Sequence, residues 1–327
     1  MTHFYDRTSY LTPLLGGQSG SRVWRLTELS GETKIVKITR REEMPDYLTA
    51  NYPSVDMAEY HFYTKLQPLL NLPVPALHAH GLLPHGGVFV VLEDVAINHR
   101  LLPFEHHYTT EEVLSIVETY ALLHGRGEKL LADEKSYPYL HPDPRTTFAP
   151  HLVLPYLQEL AANEWTEALA TRPLRSRHLP SLLREVISRL AHLPTTILHN
   201  DFYPTNIALP LDRTQPGLLL DWQLIGRGPL ELDLANIGLQ SDNPHFQAVD
   251  IDAVLFCYLE ALARGSGYKI PLATLREQCT YAKLLLALDF LPRFVRAMHR
   301  ANTRNEPWIP WMRESYVASM TEIASHL

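Results

Sequence analysis

Short apolar runs separated by glycine pairs fill the first 95 residues, and a chain that begins this way has to start as a small antiparallel sheet. Leu11 to Leu15, Val23 to Leu29, Thr33 to Ile38 and Val88 to Leu92 are apolar or alternating. Gly16-Gly17, Ser30-Gly31 and Gly86-Gly87 punctuate them as hairpins require. One helix interrupts the strands. Ser54 to Leu70, SVDMAEYHFYTKLQPLL, opens on a Ser or Asp cap candidate and carries Met57, Tyr60, Leu66 and Leu70 at roughly helical spacing, and Leu72-Pro73 ends it. From about Ala96 onward helical patterns take over. Thr109 to His124 starts with a Thr-x-x-Glu capping box, Thr109 and Glu112, and places Val113, Ile116, Val117 and Tyr120 on one apolar face. After the proline-rich patch YPYLHPDPRTTFAP, helical patterns run through Ser188, from Ala248 to Ala263 and from Ala273 to His299. Ile197 to Leu198, Ile207 to Leu209 and Leu218 to Leu220 read as strands, with a hairpin around the polar segment between the first two. The expectation is an α+β chain with a sheet-rich lobe over residues 1–95 and a mainly helical lobe over residues 96–327.

Composition narrows the partners. The chain has 327 residues, of which 46% are hydrophobic and 20% charged, so it can bury a substantial core. A formal net charge of -7 and scattered basic residues leave no footprint for nucleic acid. MTHFYDRTSYLTP lacks the basic start and apolar run of a signal peptide, and no apolar stretch approaches the ~18 residues that span a bilayer. A cytoplasmic protein without a membrane partner is expected. Cys257 and Cys279 show no CxxC spacing and read as small buried apolar residues in a reducing compartment, in preference to a disulfide. The 17 histidines match no H-E-x-x-H or paired Cys/His pattern; His78, His80, His106 and His107 flank prolines and turns and read as surface or loop residues.

Ile197 to Pro210, ILHNDFYPTNIALP, sets His199, Asn200, Asp201 and Asn206 between two apolar runs. A plain turn accounts for part of this, since Asn, Asp and Pro are turn residues. Further on, GLLLD is a short apolar strand ending in Asp221, with Trp222 next. Together these segments bring two acids and an amide to one edge of a small hairpin, a set of oxygen ligands suited to Mg²⁺. In the first lobe, LLGGQSGSRVWRL places Gly16, Gly17, Ser19, Gly20 and Ser21 between strands, where small residues let backbone amides approach phosphate oxygens. A glycine-containing hairpin turn has the same pattern. Lys37 lies inside the apolar strand KIVKIT, where a buried ammonium needs a partner. Glu59 on the inserted helix is one candidate and a phosphate is another.

Glycine loop, strand lysine, helix glutamate, H-x-D-x-x-x-x-N and strand-terminal Asp follow the order of parts in protein-kinase-like phosphotransferases. The chain most closely resembles the aminoglycoside phosphotransferase and choline kinase-like family of small-molecule kinases. HNDFYPTNIAL is similar to the family's His-Gly-Asp-x-x-x-x-Asn loop. LLLDWQLIGRGPLELDLA is similar to its Ile-Asp-Trp, Gly-Pro and Asp-Leu-Ala run, and FVVLEDV to the strand entering its inter-lobe hinge. The motifs extend from about Leu14 to Leu239.

The resemblance implies a bilobal protein-kinase-like fold and an ATP- and Mg²⁺-dependent phosphotransferase, with GTP possible, acting on a hydroxyl of a small molecule. Asp201 would orient the acceptor and take its proton, while Asn206 and Asp221 would hold Mg²⁺. Lys37, held by Glu59, would contact the α and β phosphates. Ser19, Gly20 and Ser21 would cover the phosphates, and backbone groups from Glu93 to Val95 would receive the base. His199 and Asp233 are expected to be structural. Asn200 stands where the family usually has glycine, and Gln223 where acidic residues are common. Trp308, Trp311 and Tyr316 are expected to pack a terminal segment in preference to caging a quaternary ammonium. The arginines between Tyr281 and Leu327 speak against a polycationic acceptor. A protein or protein-linked sugar as acceptor ranks lower, because no activation-loop segment fits between Asp221 and Asp233. The competing class is a catalytically silent nucleotide- or metabolite-binding module. Acceptor identity and oligomeric state are left open.

Overall fold

The computed structural model describes residues 9–14, 20–103, 105–133, 137–147, 179–212, 215–237, 246–267 and 269–286. Its first part is a five-stranded antiparallel sheet built from β1 (Tyr10–Leu14), β2 (Arg22–Thr27), β3 (Thr33–Thr39), β4 (Leu77–Leu82) and β5 (Val88–Glu93). The order is β1-β2-β3-β5-β4, so β3 is central and Lys37 stands opposite Val23 of β2 and Val90 of β5. β4 is absent from the sequence pattern for a physical reason. It is an edge strand with His78 and His80 exposed, and a strand that buries little of either face carries no apolar alternation.

Two helical segments lie between β3 and β4. The short α1 (Asp46–Asn51) was not expected. The predicted Ser54 to Leu70 helix is present, but in three parts: α2 (Val55–His61), a π turn at Phe62–Leu66, and α3 (Gln67–Leu70). Asn71 closes it in the left-handed conformation, φ 47°, and the Arg126 guanidinium donates to Leu70 O at 2.6 Å.

A short strand β6 (His99–Leu101) leads to α4 (Thr110–Ala132). The capping box forms as expected: Glu112 N–H donates to Thr109 Oγ1 at 3.3 Å and Thr109 N–H to Glu112 Oε2 at 3.0 Å. The helix runs past His124 because its glycines serve close packing and do not end it. A Cβ on Gly127 would come within 2.7 Å of Thr196 Oγ1 and 2.8 Å of Ile197 N. Next come α5 (Pro144–Thr147), α6 (Leu179–Leu190), β7 (Thr196–Leu198), β8 (Ile207–Pro210), β9 (Leu218–Leu219), β10 (Gly226–Gly228), α7 (Glu231–Asn236), α8 (Ile251–Ser266) and a helical run at 272–286.

β7 and β8 do not pair with each other, which corrects the expected hairpin around Asp201. β7 pairs with β10, while β8 lies between β6 and β9. The Asp201 loop therefore crosses between two sheets, and the hairpin is β8 with β9. One core unites these parts: Phe62, Ile116, Tyr120, Leu123, Ile197, Leu219, Trp222, Tyr258 and Leu262 are almost wholly buried. The result is a bilobal α+β fold, an antiparallel sheet region followed by a helical region. Cys257 and Cys279 are free thiols, Cys279 buried and Cys257 half-buried. Among the described residues no helix is long and apolar enough to cross a membrane.

Candidate active site

The Lys37 ammonium stands 2.7 Å from Glu59 Oε2 and 2.6 Å from Asp221 Oδ1. It lies in the middle of the sheet and is 8% exposed, and Glu59 is 6% exposed, so both need charged partners. Burial works against the Lys37 charge, but the carboxylates of Asp221 and Glu59 outweigh it and hold its pKa above the ordinary lysine value. Glu59 also accepts from Trp222 N–H at 3.3 Å. The π turn widens the helix where Phe62 lies flat against Trp222, ring centroids 3.7 Å apart and planes 7° apart. The helix that carries Glu59 is thereby packed onto the turn that carries Asp221. Asp221 itself is left-handed, φ 60°, and Gln223 Nε2 donates to its Oδ2 at 3.3 Å.

Behind this pair, Asp233 holds the Asp201 loop by its main chain. Its Oδ2 accepts from His199 N–H at 2.7 Å and its Oδ1 from Asn200 N–H at 2.8 Å. His124 Nε2 is 3.2 Å from Asp233 Oδ2, and a carboxylate only accepts, so this nitrogen carries the proton. His124 Nδ1 then accepts from Tyr258 OH at 2.7 Å. His199 is fully buried, which lowers its pKa and keeps it neutral. Its Nε2–H donates to Leu220 O at 3.0 Å and its ring meets Trp222 edge-on at 4.7 Å. Asn200 adopts φ 63°, supplying the left-handed residue that glycine would. Asn206 Nδ2 donates to Asp201 Oδ2 at 2.8 Å, and Asn206 O accepts from Leu220 N–H at 2.8 Å. The Asn206 loop is thus bonded to the residue just before Asp221. Asn206 and Asp221 offer hard oxygen donors, the kind that suits Mg²⁺.

The glycine loop is described only in part: Gly20 and Ser21 are within the described residues, and Ser19 lies outside them. Gly20 has φ 81° and lies so close to the Arg41–Glu43 turn that a Cβ would meet Glu43 O at 2.3 Å. The Ser21 hydroxyl is buried and committed to Thr39 Oγ1 at 2.9 Å, so its side chain is turned to the sheet. At the end of β5, Glu93 Oε2 accepts from Ala76 N–H at 3.2 Å, and Val95 packs on Ala208 and Leu218. Between them, buried Asp94 binds Arg25 Nε at 2.6 Å. Trp308, Trp311 and Tyr316 lie outside the described residues.

Sequence reasoning missed His124, Tyr258 and His141. His124 and His141 are buried, as is His99, whereas the four histidines read as surface or loop residues, His78, His80, His106 and His107, are exposed or half-buried. The usable signal was His124 on the apolar side of an amphipathic helix, where a polar ring requires a partner.

The model of the phosphotransferase enzyme family matches residues 11–267. The chain belongs to that family. The enzyme class is therefore a phosphotransferase acting on hydroxyl groups of small molecules, as the motif order predicts. No curated protein matches the sequence. Among solved structures, this phosphotransferase is similar to a candidate aminoglycoside phosphotransferase from Ralstonia eutropha, with 15% identity over 99% of this chain and 94% of that one, TM-score 0.59. It is similar also to macrolide 2'-phosphotransferase from Brachybacterium faecium, with 17% identity over 95% and 91%, TM-score 0.53. A third likeness is to an ethanolamine kinase of Plasmodium vivax, with 11% identity over 97% and 82%, TM-score 0.55. Likeness at these identities establishes the fold.

Proposed function

We propose that this phosphotransferase moves the γ-phosphate of ATP, with GTP as the alternate donor, onto a hydroxyl of a small molecule with the help of Mg²⁺. The observation that carries the reading is the Lys37 ammonium fixed between Glu59 and Asp221, with Asp221 joined through Leu220 to the loop on which Asn206 steadies Asp201. Transfer to a hydroxyl needs alignment and charge neutralisation more than covalent chemistry. Asp201 orients the acceptor hydroxyl and takes its proton. Asn206 and Asp221 would hold Mg²⁺, which when bound neutralises phosphate charge. Lys37, kept in place by Glu59, contacts the α and β phosphates. The backbone of Ser19, Gly20 and Ser21 covers them; with the Ser21 hydroxyl committed to Thr39, its contribution is through the main chain. The main chain from Glu93 to Val95 receives the base.

In this reading residues 1–95 form the nucleotide-binding lobe and residues 96–327 the catalytic and acceptor-binding lobe, working in the cytoplasm without nucleic-acid or membrane partners. A silent binding module is the lesser reading, because Asp201, Asn206 and Asp221 all retain groups able to act. Calorimetric binding of ATP with and without Mg²⁺, on the wild type and on Asp221→Ala, tests the donor side. Metal-dependent binding lost in the variant is expected; no nucleotide binding under any condition overturns the reading. Phosphorylation of hydroxyl compounds that survives in Asp201→Asn at the wild-type rate would remove the assigned base.

A further inference from the structure

Asn200 does more than adopt a left-handed backbone. A glycine would reach φ 63° without strain, yet here the carboxamide is used: Nδ2 donates to Leu224 O at 3.0 Å. Its main-chain N–H goes to Asp233 Oδ1 at 2.8 Å. One residue is thus bonded to α7 through its backbone and to the 221–226 turn through its side chain.

The surroundings are shaped around that amide. Gly226 lies directly against it, and a Cβ there would come within 2.7 Å of Asn200 Nδ2 and 3.2 Å of His141 Cβ. His141 holds the same turn from the other side. Its Nε2–H donates to Gln223 O at 2.9 Å, its N–H to Ile225 O at 3.1 Å, and its carbonyl accepts from Arg227 N–H at 3.1 Å. The ring of His141 in turn meets Tyr52, just after α1, edge-on at 4.5 Å. Lys37 and Gln223 fix the Asp221 carboxylate, whereas Asn200 and His141 fix the main chain of the turn.

We propose that Asn200 is a positioning residue whose carboxamide sets the spacing between the Asp201 loop and the Asp221 turn, and with it the alignment of acceptor hydroxyl and phosphate. This rests on the phosphotransfer reading above. Misplacement of reacting groups by about 1 Å costs on the order of 10²-fold in rate.

Asn200→Gly keeps the backbone and removes the amide. Asn200→Asp keeps the shape and turns an acceptor toward Leu224 O. Gly226→Ala displaces the amide from its other side. Two readouts are needed: hydrogen exchange of the segment 221–226, which is independent of activity, and kcat with the nucleotide KM. All three variants are expected to exchange faster in that segment. They lose roughly 10- to 100-fold in kcat with nucleotide KM within about 2-fold, because alignment and not donor binding is damaged. Unchanged exchange in Asn200→Gly overturns the proposal. So does faster exchange with wild-type kcat, or a lowered melting temperature with kcat retained. If the wild type itself transfers no phosphate while the segment still loosens, the phosphotransfer reading has failed and the proposed catalytic role falls with it.

Discussion

Lys37 Nζ and Asp221 Oδ1 are 2.6 Å apart although 184 positions separate them in the chain. The contact joins the centre of the sheet to the turn after β9, and Glu59 completes it from the helix. Removing the cation leaves a buried glutamate and a half-buried aspartate facing each other with nothing between them. Lys37→Met is expected to lose about 3 kcal/mol of stability, the scale measured when one partner of a buried pair is deleted. Turnover should fall by at least about 100-fold. Urea unfolding checks the first and initial rates the second. Adding Glu59→Gln should restore part of the stability and none of the turnover; a double variant with recovered rates would mean that Lys37 acts only as a structural ion.

Gly20 is constrained twice, by φ 81° and by Glu43 O, which a Cβ would meet at 2.3 Å. Gly31 has a similar φ, 83°, with nothing within 4 Å of a Cβ. The two glycines separate strain from collision. Gly31→Ala should cost only the left-handed penalty of about 1–2 kcal/mol, with nucleotide KM unchanged. Gly20→Ala should cost more and also raise nucleotide KM by about 10-fold, because the loop must shift. Equal effects from both would remove the close approach as a cause.

Glu231 sits in the first turn of α7, 2% exposed, and its Oε2 has no hydrogen-bond partner. Burial pushes its carboxyl up to about 7 from an ordinary 4.5, with partial relief from its own backbone N–H and from Arg145. The folded value exceeds the unfolded one, so the fold keeps a proton that the unfolded chain releases. Its contribution is therefore complete below about pH 4.5 and is lost as pH rises through about 7. A shift of that size corresponds to roughly 3 kcal/mol. Glu231→Gln should flatten the fall in stability between pH 5 and pH 8, read from urea midpoints at each pH; a slope unchanged in the variant would assign the titration elsewhere.

Lys37, Asp201, Asn206 and Asp221 stand out in the sequence because each breaks a local rule, a charge inside or at the end of a strand or polarity between apolar runs, and Glu59 enters as one candidate partner that Lys37 needs. The structure brings Lys37, Glu59 and Asp221 into direct contact and joins Asn206 to Asp201. What local pattern cannot show is which segments meet. Strand-like runs on either side of Asp201 read as a hairpin, yet they pair with different sheets. The π turn at Phe62 answers to Trp222, a partner far along the chain, and periodicity within the helix carries no trace of it. Ser21 reads as one residue of a loop whose main chain would cover phosphate, and local pattern gives no sign that a neighbouring strand supplies Thr39 to take its hydroxyl. β4, exposed along one edge, had no apolar face to announce it.

Asp233 accepts from His199 N–H, Asn200 N–H and His124 Nε2–H while 1% exposed, so one carboxylate satisfies three donors. Asn at this position has the same shape but turns an N–H₂ toward at least one of those donors, leaving it buried and unpaired. Asp233→Asn is expected to lose about 3 kcal/mol, at the upper end for an unsatisfied buried group, and to lower kcat because two of the three donors belong to the Asp201 loop. Tyr258→Phe cuts only the outermost link, Tyr258 OH to His124 Nδ1, and should cost about 1 kcal/mol with kcat preserved. Chemical denaturation and steady-state rates on both variants decide the matter. If Tyr258→Phe slows turnover as much as Asp233→Asn, the whole chain from α8 through α4 governs the loop; if neither does, the loop holds its shape through Asn206 and the Asp221 turn alone.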